Sequence, residues 1–176
     1  MGRPADVVER IVALGYERLE ESLALMTEHA ELTPLPGHAV VRGHEDIRVY
    51  VDSELRKLGA DVPEALPALL FERDQTVLVL GQLRVPRHGD KRRFTEVRPI
   101  AWVYEIEDEK IARITAYGDW DRAREAAGVP ATMAPTRTLK GSLWHPAVAL
   151  PGRRRAPLRQ AAVLGWPAWL SAHSSA

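Results

Sequence analysis

Residues 101–129 read AWVYEIEDEKIARITAYGDWDRAREAAGV, and they decide the fold. Trp102, Tyr104 and Ile106 fall on one side of a period-two pattern, which predicts the end of a strand over 94–106. The acidic turn Glu107-Asp108-Glu109-Lys110 sends the chain back into a second strand over 111–119. That strand ends on Tyr117-Gly118-Asp119, and a helix over 120–127 stops at Gly128. A hairpin closed by a short helix therefore sets one carboxylate, Asp119, at a strand end.

Upstream, strands are expected at 68–73 and 76–86, where TVLVLGQLRVP is rich in β-branched and aliphatic residues. Pro63 and Pro67 mark 60–70 as a loop or bent connection. A helix is predicted over 44–58, with Gly59 as its C-terminal stop, and a short strand over 30–35. Residues 5–28 carry Val8, Ile11, Val12, Leu19, Leu23 and Met26 at helical spacing, interrupted at Gly15. Helices grouped ahead of strands indicate an α+β fold, a curved antiparallel sheet covered by the N-terminal helices, with a pocket between the layers.

The 176 residues suffice for one ordinary domain, expected over 1–129. The chain has no cysteine, which excludes disulfides, thiolate catalysis and a thiolate zinc site. No apolar run approaches the ~20 residues that cross a bilayer, and MGRPADVVER lacks a signal core, so a cytoplasmic protein is expected. The net charge of zero hides an asymmetry: after Pro130 there is no acid, while Arg137, Lys140, Arg153, Arg154, Arg155 and Arg159 are basic. Residues 130–176 are expected to be a poorly ordered, basic extension containing prolines. Trp144, Trp166 and Trp169 keep a second reading open, a segment that docks on its own domain or a partner.

Three motifs carry a likeness to a known family. SLALMTEHAELTPLPG (22–37), RGHEDIRVYVDSEL (42–55) and VYEIEDEKIARITAYGDWDRAREAAGV (103–129) together resemble the SnoaL-like branch of the nuclear transport factor 2-like (NTF2-like) superfamily. The resemblance covers about 5–129 and implies a cone-shaped α+β fold, a homodimer and an interior pocket. The turn departs from the pattern in carrying Glu109 where relatives have glycine. The family's catalytic positions are largely unfilled. The carboxylate positions of its ketosteroid isomerases fall at Pro34 and about Trp102, and the Arg/Asp pair of its epoxide hydrolases falls at Gly81 and Leu83. Only the final-strand aspartate has a match, Asp119.

Asp119 has two readings: a pocket carboxylate acting as general acid or base, or an N-cap of the helix beginning at Trp120. Trp102, Tyr104, Tyr117, Leu83 and Tyr16 are the expected pocket residues, with Arg98 and Ile100 beyond on the Trp102 strand. Those aromatics would either wall a flat apolar ligand or pack the core. His44 is either a pocket residue or a neighbour of a helix cap. No metal-ligand spacing, phosphate loop or nucleophile elbow is present, so no metal and no cofactor are expected. The expected function is binding of a small, largely apolar molecule, without a catalytic constellation. The alternative is a cyclase, isomerase or hydrolase using Asp119. Neither a membrane nor nucleic acid is an expected partner.

Overall fold

In the computed structural model, residues 2–15, 18–34, 39–58, 64–87 and 90–139 are described, all within the compact unit Met1–His145. The first helix, α1 (Pro4–Leu14), has proline at its first position, where the missing N–H costs nothing. It buries Ala5, Val7, Val8 and Ile11 and ends at Gly15, whose φ of 58° a side chain would resist. A one-and-a-half-turn helix α2 (Leu19–Ala24) follows, and β1 (Met26–Thr33) begins four residues earlier than the expected strand. The helical periodicity ran on to Met26 because Leu23 and Met26 both point into one core from different elements.

The short β2 (Val41–Arg42) leads into α3 (Gly43–Leu58), which buries Ile47 and Val51. Then come β3 (Glu64–Arg73), β4 (Thr76–Arg87), β5 (Asp90–Glu107) and β6 (Lys110–Tyr117). The chain closes with α4 (Trp120–Ala126) and β7 (Arg137–Thr138). These form one sheet in the order β2-β1-β6-β5-β4-β3-β7.

Pro67 lies inside β3 rather than in a loop. The register shifts between Pro67 and Leu69, and β7 pairs with β3 only at Leu69 and Leu70. Pro67 therefore occupies a bulge, and among the described residues no strand pairs with it on the far side of β3, so its missing N–H breaks no ladder there. The sheet is mixed, because β1 runs parallel to β6 while every other pairing is antiparallel. Hairpin connections force antiparallel neighbours, but β1 and β6 meet from distant parts of the chain and carry no such constraint.

Within the first ten residues of the expected extension, β7 pairs with β3, and the N–H groups of Thr136 and Leu139 donate to the Leu70 and Ala68 carbonyls. Leu139 is buried, and Arg137 forms ion pairs with Asp6 and Glu9 of α1. Residues 140–176 lie outside the described residues.

Both sheet faces are covered. Leu70, Val77, Val79, Tyr104, Ile106 and Ile114 pack with α1, Leu23, Ile47 and Val51 on one face. Phe71, Leu78, Leu80, Ala101 and Val103 pack with Ala123, Ala127 and Val129 on the other. Each large side chain so buried contributes roughly 1.5–3 kcal/mol.

Candidate functional site

The register of the long strands sorts the expected site residues. Val77 pairs with Tyr104, Val79 with Trp102, Gly81 with Ile100 and Leu83 with Arg98. Paired residues project to the same side and successive ones alternate. Since Val79 and Tyr104 belong to the core under α1–α3, Trp102, Leu83 and Arg98 stand on that same helix-covered face. Across β6, Trp102 pairs with Ala116 and Ala101 with Tyr117. Tyr117 therefore stands on the opposite face, packed with the α4 cluster. The structure thus places Trp102, Tyr104 and Leu83 on one face, with Leu83 four residues along the register from Trp102, and sets Tyr117 on the other. Tyr16 lies outside the described residues.

Along the helix-covered face, burial changes from one end to the other. Val79 and Tyr104 are sealed, at 0% and 6% exposure. Trp102, Leu83 and Arg98 are only partly buried, so water reaches the face at the end where β4 and β5 carry them. Leu32, Val41 and Tyr50 flank the apolar floor. Gly81 sits in its middle for a steric reason: a Cβ there would come within 2.5 Å of the Leu66 carbonyl oxygen. The two positions at which the family's epoxide hydrolases carry polar groups are thus a crowded glycine and a leucine. The guanidinium stands one strand over, on Arg98.

Asp119 has a defined structural task. Its backbone is extended (φ −141°, ψ 130°) and its side chain accepts the Arg122 backbone N–H, with Oδ1 2.8 Å from the nitrogen. It is the N-cap of α4 and is exposed to solvent. The next residue, Trp120, fixes the helix on the sheet by donating its indole N–H to the carbonyls of Gly81 and Ile100, at 3.1 and 3.0 Å. Tyr117 belongs to the α4 side, away from Trp102, and Asp119 caps α4 itself.

On α3, His44 precedes Ile47 and Val51 by three and seven residues, so it shares their inward face. Its Nε2 is buried and has no hydrogen-bond partner among the described residues. Among the described residues no cluster of three histidine or acidic side chains could hold a metal ion, and no helix is long and apolar enough to cross a membrane.

Ala101 and Val103 lie under α4, and Val79 lies in the helix-covered core. On the same side as α4, the outer strands carry a row of alternating charge, Arg42–Glu31–Arg113–Glu105. The Glu31 carboxyl is held below the usual range first by its hydrogen bond from Arg42 and then by that from Arg113.

Helices on one face of a mixed sheet, with α4 closing the other, match solved structures of low sequence identity. An NTF2-like protein of unknown function from Burkholderia pseudomallei superimposes with a TM-score of 0.54 at 16% identity, covering 72% of this chain and 98% of its own. The fold is NTF2-like. TerC, crystallised with polyporic acid, matches this chain with a TM-score of 0.55 at 20% identity, over 70% of this chain and 96% of its own. SalBIII, described as an epoxide hydrolase/cyclase-like enzyme in pyran ring formation in the polyether salinomycin, matches at 0.52 and 17% identity, over 67% and 92%. No protein-family model and no curated protein matches the sequence.

Of the residues that now define the helix-covered face, Arg98 was the least visible in sequence. Its signal was parity: it stands four residues before Trp102, on the same side of the same strand.

Proposed function

We propose that this NTF2-like protein binds a small, largely apolar molecule on the helix-covered face of its sheet, beside Trp102 and Leu83. The observation that carries this reading is the change of burial along that face, from sealed Val79 and Tyr104 to partly exposed Trp102, Leu83 and Arg98. A half-buried tryptophan above an aliphatic floor offers a large flat contact to an aromatic or terpenoid-like body. TerC, of similar fold, was crystallised with polyporic acid, which supports a small-molecule role.

The enzymatic alternative draws on SalBIII, which is described as cyclase-like. It needs a proton-transferring group beside the ligand. Asp119, the one carboxylate that the family pattern supplies, is exposed and accepts the backbone N–H of Arg122 in α4. Binding without Asp119 chemistry is therefore the better-supported function.

A thermal-shift screen of small aromatic and terpenoid-like molecules against wild type and Asp119→Asn tests this choice. Asparagine also caps helices well, so the variant keeps α4. Equal stabilisation of both proteins by the same hits is expected. A molecule converted by wild type and left unchanged by the variant would overturn the binding-only reading.

A further inference from the structure

Between the pairs Val79–Trp102 and Leu83–Arg98 lies the pair Gly81–Ile100, two residues from each. Its backbone is reached from the other side of the sheet. The Trp120 indole N–H donates to the Gly81 carbonyl oxygen at 3.1 Å and to that of Ile100 at 3.0 Å. Two carbonyls can share one donor only where they converge between β4 and β5, so these two residues form a hydrogen-bonded pair of the antiparallel ladder. The next pair, Leu80–Ala101, is fixed by side chains buried under α4. Gly81 has no side chain to bury there, and that of Ile100 projects to the helix-covered face. From the α4 side, then, the indole of Trp120 holds this pair. With seven residues, α4 is too short to keep its place by its own hydrogen bonds, so its packing and the indole bond set where it sits.

We infer that Trp120 is a positioning residue for the helix-covered face, a role that rests on the small-molecule reading above. Its indole N–H fixes the backbone of Gly81 and Ile100 from below, and with it the placement of Trp102 relative to Leu83, without touching the bound molecule. The floor between those two side chains is the Gly81–Ile100 pair itself. A molecule laid on that floor presses on the same backbone that the indole holds. Binding on one face and the indole bond on the other are then linked, and each strengthens the other by the same free energy. The residue that seats α4 thereby also shapes the surface that receives the ligand.

The test titrates 2-naphthoate, a flat aromatic probe, calorimetrically into the full chain as wild type and as Trp120→Phe. Phenylalanine keeps an aromatic ring in the α4 cluster and removes the donor. The variant is expected to bind about three- to tenfold more weakly, the size of one ordinary hydrogen bond. In the free protein, the amide resonances of Gly81, Ile100 and Trp102 are expected to shift. A merely structural role would lower the urea midpoint and leave the affinity of the folded protein unchanged. That result would overturn the inference and leave the small-molecule reading standing. In wild type alone, saturating 2-naphthoate is expected to slow deuterium exchange of the Trp120 indole N–H by a comparable factor. Unchanged exchange would overturn the inference even if Trp120→Phe does not fold. Failure of wild type to bind the probe would overturn the small-molecule reading and the inference with it.

Discussion

The carboxylate of Asp119 accepts the backbone N–H of Arg122 at 2.8 Å, which makes the last acid of the family pattern a helix cap. The first turn of a helix leaves amide donors without intrahelical partners, and an aspartate at the N-cap satisfies one of them. Replacing Asp119 with alanine is therefore expected to lower stability by about 0.5–2 kcal/mol, with Asp119→Asn close to wild type. Urea denaturation measures this directly. Identical losses in both variants would show that the charge, and not the cap, is what matters.

Gly81 is expected to resist enlargement. A Cβ there meets the Leu66 carbonyl at 2.5 Å and the Pro67 Cα at 3.0 Å, both backbone atoms that cannot swing aside. Gly81→Ala should cost about 1–3 kcal/mol, as overpacking does elsewhere. A neutral result in denaturant titration would mean that the β3 bulge at Pro67 moves freely.

The β5–β6 hairpin turns through Asp108 and Glu109, with φ of 48° and 61°. Two consecutive left-handed residues fit a type I′ turn, which favours glycine at the second position. Glu109→Gly should relieve strain of roughly 1 kcal/mol, less the hydrogen bond that Gly2 N donates to the Glu109 carboxylate at 2.6 Å. A net rise in thermal midpoint is expected. A fall would mean that the contact with Gly2 outweighs the strain.

Acid should weaken the domain through Glu31. Its carboxyl is depressed in the folded state by Arg42 and Arg113, so the stabilisation is fully present above its ordinary value near 4.5 and is lost as pH falls through the lower folded value. Stability measured from pH 5 down to pH 3 should fall more steeply in wild type than in Glu31→Gln. Parallel curves would show that the charged row across β2, β1, β6 and β5 carries no such linkage.

The fold was largely legible in sequence, and the site was not. The Glu107–Lys110 turn, the alternation of Trp102, Tyr104 and Ile106 and the cap at Asp119 are local signals, and each appears where expected. Pro67 misled because a proline marks a loop or a bulge alike, and only β4 and β7 on either side distinguish them. Tyr117 was grouped with Trp102 because facing is defined within one strand, whereas its relation to a neighbouring strand depends on register. The pairing of Trp102 with Ala116 is a property of the assembled sheet. Arg98 and Ile100 were placed beyond Trp102 on the same strand, but their pairing with Leu83 and Gly81 is likewise set by register.

The central claim is that the helix-covered face holds a small molecule through Trp102 and Leu83 while Asp119 serves only α4. Calorimetric titration of 2-naphthoate into wild type, Trp102→Ala, Leu83→Gln and Asp119→Asn, each checked for native circular dichroism, tests it most directly. The account predicts unchanged affinity in Asp119→Asn and losses of about tenfold or more, some 1.4 kcal/mol, in the Trp102 and Leu83 variants. Loss of binding in Asp119→Asn, with wild-type affinity in the other two, would contradict it.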